Sequence, residues 1–77
     1  MIVVKDYFTA CEERFPEKRS ELRRISLCLR RGGILTMEAL CQMQRETPEK
    51  VTAIRDIGEK SSKFIAVICR QYEDSKQ

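Results

Sequence analysis

Histidine and tryptophan are absent from this chain, and glycine and proline are scarce, at three and two residues. Without histidine the chain lacks the side chain that titrates near neutrality unaided, which removes the commonest general acid–base and the commonest metal ligand together. The four cysteines, Cys11, Cys28, Cys41 and Cys69, show no Cys-x-x-Cys spacing. Each stands among apolar residues at helical spacing, so all four read as small core hydrophobes of a reduced, cytoplasmic protein, with neither a disulfide framework nor a metal or other cofactor implied. Long apolar runs are missing as well. The opening Met1-Ile2-Val3-Val4-Lys5-Asp6 is charged too early for a signal peptide or a membrane span, which gives a soluble protein with no membrane partner. No stretch alternates apolar and polar residues over strand length, and β-branched residues gather only at Ile2, Val3 and Val4, where a strand could start. Low-complexity runs and solenoid repeats are also lacking.

What is present is a short chain of 77 residues, 42% apolar and 35% charged. That composition suits one small domain over residues 1–77, with a core too modest to enclose a large active site. Lysine and arginine outnumber aspartate and glutamate by 15 to 12, a net charge of +3. Such a balance permits an anionic partner without requiring one, so the arrangement of the charges has to decide.

Apolar spacing predicts an all-α, compact bundle of about five short helices. Val4, Tyr7, Phe8 and Cys11 define one face of a first helix over residues 3–14, which Pro16 ends. Pro16 suits the first turn of a second helix with Leu22, Ile25, Cys28 and Leu29 on its inner side, closed by Gly32-Gly33. Thr36 is a good N-cap for a short helix through Met37, Leu40 and Cys41. Thr47-Pro48-Glu49 offers a cap, a first-turn proline and a dipole-favourable acid for another through Val51 and Ile54. A last helix runs from Glu59 to about Tyr72 on Phe64, Ile65, Ile68 and Tyr72, and the polar end Glu73-Asp74-Ser75-Lys76-Gln77 is expected to fray. Two helix-to-turn glycine corners, at Gly32-Gly33 and Gly58, suggest two stacked helical hairpins.

Two stretches carry functional weight. On a wheel at helical pitch, Arg23, Arg24 and Arg31 fall opposite the apolar face of the second helix, and Leu27 falls with them. Guanidinium groups give bidentate contacts to phosphate, and an exposed leucine gains free energy when something covers it, so this face reads as a contact surface, a solvated face, or a site covered by the first helix. The second stretch is Arg55-Asp56-Ile57-Gly58-Glu59-Lys60-Ser61-Ser62. A glycine able to take a positive φ before a helix start would expose bare N–H groups, with the Lys60 charge and Ser61 hydroxyl in the same turn, a combination that suits a phosphate. Glu59 competes for the same dipole. Catalysis is not expected: the carboxylates Glu12, Glu13, Glu17, Glu21, Glu73 and Asp74 lie on polar faces where nearby lysines and arginines account for them.

Leu22 to Ile34, then Thr36-Met-Glu-Ala-Leu40, then Ile54-Arg-Asp-Ile-Gly-Glu-Lys-Ser61, together resemble the C-terminal domain of the bacterial RNA polymerase alpha subunit. The resemblance covers residues 20–72 and leaves 1–15 as a helix atypical of that family. It implies a helix-hairpin-helix-like unit and docking on duplex DNA, chiefly at the A·T-rich minor groove, in transcription, with RNA polymerase or a transcription regulator as further partners. Arg24 would match the family's chief groove arginine, and Gly58, Lys60 and Ser61 its backbone-contacting corner, with Arg23 and Arg31 widening the positive footprint. Leu27 stands where the family usually places an asparagine, and Asp56 where the corner usually starts with one. The chain begins with its own methionine and lacks the subunit's assembly domain, which suggests a free-standing relative. A protein-interaction module on the same scaffold, anchored by Leu27, is the alternative from a different class.

Overall fold

The apolar positions that repeat every three or four residues become buried helix faces. The computed structural model describes residues 2–75 and contains five α-helices: α1 (Val4–Arg14), α2 (Arg19–Arg31), α3 (Met37–Glu46), α4 (Pro48–Thr52) and α5 (Glu59–Ser75). Pro16 opens a short 3-10 turn, Pro16–Lys18, and α2 begins only at Arg19. Where Ile2-Val3-Val4 could have started a strand, the chain forms one isolated antiparallel bridge between Val3 and Thr36. Its flanking bonds, Val4 N–H to the Leu35 carbonyl at 2.9 Å and Met37 N–H to the Ile2 carbonyl at 2.8 Å, tie the start of α1 to the α2–α3 loop.

Helix ends follow local chemistry where the sequence supplies it. Gly33 takes φ +89°, the Ile34 N–H reaches back to the Leu29 carbonyl at 2.9 Å, and the Gly33 N–H reaches the Arg30 carbonyl at 3.1 Å. These two bonds close α2 as a Schellman motif, and Ile34 then packs into the core beside Leu29. Thr36 caps α3, its Oγ1 accepting from the Ala39 N–H at 3.2 Å. Thr47 does not cap α4 as expected; its hydroxyl donates instead to the Met43 carbonyl at 3.4 Å, one turn back on α3. Residues 73–75 continue α5 rather than fraying, and the remainder of the expected loose end, Lys76-Gln77, lies outside the described residues.

Packing joins α1 to α2 and α3 to α5, with α4 against both α3 and α5. The glycine corners therefore sit between helices that pack chiefly on other neighbours, and the two stacked hairpins suggested by their echo do not describe the arrangement. One continuous cluster fills the centre, in which Phe8, Leu22, Ile25, Leu29, Met37, Leu40, Ile65 and Ile68 are fully buried. Edge-to-face ring pairs clip the first helix region to the last: Tyr7 on Tyr72 at 5.2 Å and Phe15 on Phe64 at 5.4 Å between centroids. Lys18 lies over the outer face of the Phe64 ring at 5.2 Å. No described helix is long and apolar enough to cross a membrane.

Candidate nucleic-acid interface

Helical periodicity puts Arg24 on the outer side of α2, and its length lets it reach a second element. One guanidinium nitrogen donates to the Asp56 backbone carbonyl, and the other donates to Ser61 Oγ at 2.8 Å. Asp56 lies in the α4–α5 corner and Ser61 in the first turn of α5, so this single side chain bridges α2 to the corner. The cationic face of α2 and the start of α5 are thereby neighbours.

The corner is built differently from the expectation. Asp56, not Gly58, occupies the left-handed region, at φ 69°. Aspartate tolerates that conformation better than most side chains, and it turns the Asp56 carbonyl out for Arg24 to meet. Gly58 lies outside that region and acts as the entry residue of α5, its carbonyl accepting the Ser62 N–H at 2.9 Å. A β-carbon at Gly58 would meet nothing within 4 Å, so the space beside this residue is open.

Lys60 is exposed, as expected of a phosphate-contacting cation, whereas Ser61 is 5% exposed with its hydroxyl taken by Arg24. Ser61 therefore serves to hold Arg24. Arg31 is exposed at the last turn of α2 and lines a groove of about 520 Å³ with Cys28, Gly32, Ile54, Arg55 and Asp56. Arg55 is the residue that sequence reasoning left out, although it opens the same motif. Arg24, Arg31 and Arg55 thus meet at a corner that carries the Asp56 carboxylate, with Glu59 and the exposed Lys60 following in the first turn of α5.

Arg23 faces elsewhere. It forms a fork on the Glu12 carboxylate of α1, both nitrogens at 3.3 Å, and Arg19 joins the same acid at 3.5 Å. This acid neutralises the α1 edge of the arginine face, and Arg23 stays apart from the corner. Leu27 is 41% exposed, so the first helix does not cover it. It stands one turn from Arg24 and one turn from Arg31, in the middle of the cationic face.

Three of the cysteines behave as expected, Cys11, Cys41 and Cys69 being buried, but Cys28 is only half-buried and lies on the wall of the Arg31–Arg55 groove. Burial pushes the Cys11 thiol above its ordinary range. A hydrogen bond with Cys41, reinforced by burial, holds the Cys69 thiol far above its own. No protein family, curated protein or solved structure matches the chain.

Proposed function

We propose that this chain is a small DNA-binding domain that acts in transcription in the cytoplasm, docking on the backbone and minor groove of A·T-rich duplex DNA. The observation that carries this reading is the Arg24 bridge to Asp56 and Ser61, which joins the α2 cations to the α5 start in one exposed ledge. An arginine fixed by two acceptors still has N–H groups in its fork that can donate outward, and a preset guanidinium loses little freedom when it meets phosphate or a narrow groove. Arg31, Arg55 and Lys60 supply further phosphate contacts around it. The motif resemblance to the polymerase alpha C-terminal domain, with its helix-hairpin-helix-like corner, points the same way and makes RNA polymerase or a transcription regulator the natural second partner.

The test is a titration with a short A·T-rich duplex, following the amides of residues 23–31 and 56–62. Expected are shifts confined to those stretches and an affinity that falls steeply with salt, because each neutralised phosphate releases counterions. Lys60→Ala and Arg55→Ala, which remove exposed side chains, should each lower the salt slope by about 1, while Arg24→Ala costs about 1–3 kcal/mol of binding. Absence of any duplex affinity at low salt refutes the proposal.

The 41% exposure of Leu27 favours a second reading, a protein-interaction module in which this leucine is an apolar anchor inside an arginine rim. On that reading Leu27→Glu abolishes association with a protein partner or a second copy while circular dichroism stays unchanged. Association that survives the substitution removes Leu27 as the anchor.

A further inference from the structure

Away from the cationic ledge, α3 and α5 bring two thiols together. Cys41 on α3 and Cys69 on α5 are 4% and 3% exposed. The Cys41 thiol is directed at the Cys69 backbone carbonyl, 3.9 Å away, which sets the two cysteines side by side across the α3–α5 contact. Above the pair lies a surface depression of about 500 Å³, lined by both cysteines together with Gln44, Arg45, Arg70 and Glu73. Both cysteines thus lie at the floor of a depression that can admit a small reagent, with little of either side chain exposed. Cys28 stands apart, on the Arg31–Arg55 groove.

We propose that Cys41 and Cys69 form a dithiol modification site, which a small two-electron thiol oxidant closes into a disulfide between α3 and α5. The chemistry balances with an oxidant of the diazene class. The Cys41 sulfur, held below its ordinary pKa by the Cys69 side chain, which outweighs burial and the nearby Glu73 carboxylate, attacks one nitrogen of the N=N bond, and its proton ends on the other nitrogen. The Cys69 sulfur then attacks Cys41 Sγ, the S–N bond breaks, and the hydrazine leaves with the second proton. Two thiols are oxidised, one N=N bond is reduced, and one S–S bond forms. Nothing in this step depends on the DNA reading, since Cys69 stands two turns beyond Lys60 and Ser61 on α5 and neither cysteine belongs to the ledge.

The experiment treats the folded Cys28→Ser chain, which keeps the proposed pair and removes the half-buried competitor, with diamide. Alkylation and non-reducing peptide mapping follow. Expected are a monomer lighter by two hydrogen atoms, a Cys41–Cys69 linked peptide, a free Cys11, reversal by dithiothreitol and a raised thermal midpoint. Cys41→Ala or Cys69→Ala on the same background abolishes the mass loss, with circular dichroism as the check on folding; the mapping of the chain that retains both cysteines does not depend on these variants. Recovery of Cys41 and Cys69 as thiols from the treated folded chain overturns the proposal. So does a link through Cys11, or a reaction that proceeds only at denaturant concentrations that unfold the chain.

Discussion

The contact on which the ledge depends, Arg24 to Ser61, can be measured without any ligand. Arg24→Ala removes a charged donor from the Asp56 carbonyl and from Ser61 Oγ, and leaves a 5% exposed hydroxyl without its guanidinium partner. Hydrogen bonds to a charged group contribute about 1.5–3 kcal/mol when sheltered, but Arg24 is exposed and solvent screens part of that, so the expected loss is about 1–2 kcal/mol. For a domain of this size that loss lowers the thermal midpoint by about 5–15 °C. Ser61→Ala takes away one acceptor together with its own need for a partner, and costs about 0.5–1 kcal/mol. The double variant separates the bridge from everything else each side chain does. Urea unfolding of the four proteins should give a coupling energy of about 0.5–1 kcal/mol, as expected for residues in direct contact. Arg24→Lys keeps the charge but loses the fork, and should fall between wild type and alanine. Additive effects within error mean that the two side chains do not meet in solution. The α2 cations and the α5 start would then lack their common fixed point, and the proposed DNA surface would lose its basis.

Backbone conformation and pH supply further tests. Gly33→Ala, at φ +89° with open space around the new methyl, should cost about 1–2 kcal/mol from conformational strain alone, whereas Asp56→Gly at φ 69° should relieve strain and be neutral or stabilising by up to about 1 kcal/mol; chemical denaturation of both checks the contrast, and equal losses refute the assignment of left-handed residues. Cys11 and Cys69 have thiol pKa values raised above their ordinary 9.0, so the folded state holds protons that the unfolded chain releases. The stability linked to them is complete below pH 9.0 and is lost as the pH climbs above that value, at no more than about 1.4 kcal/mol per pH unit for each thiol. Denaturation midpoints in reducing buffer should therefore fall on the alkaline side, and Cys69→Ala should flatten the fall. Cys41, whose thiol is held below its ordinary value, acts with the opposite sign and offsets part of this fall, so a midpoint that rises on the alkaline side contradicts the burial of Cys11 and Cys69.

Much of the fold is legible in order along the chain because its causes are local. The Schellman end of α2 needs only Gly33 in the right place and Ile34 after it, and the cap of α3 needs only Thr36 three residues before the Ala39 N–H. The misreadings arise where a local rule had a tertiary competitor. Thr47 has the right chemistry for a cap, but the end of α3 offers its hydroxyl a carbonyl first. The corner glycine was the natural candidate for a positive φ. Instead Asp56 carries it, in a conformation whose carbonyl is fixed by a side chain 32 positions away.

The division between the two levels is physical. Sequence by itself determined the number and order of the helices and their buried faces, though not every end, because apolar spacing and the Gly32-Gly33 stop act over a few residues and need no distant partner. It also determined which cations share a face of α2, since helical pitch alone sets that. Only the tertiary structure decided that Arg24 reaches the α5 start, that Arg23 turns to Glu12, that Leu27 stays exposed and that Cys41 meets Cys69. Those outcomes depend on how two helices far apart in sequence come to pack, which follows from the combined burial of one core and cannot be read from any one segment.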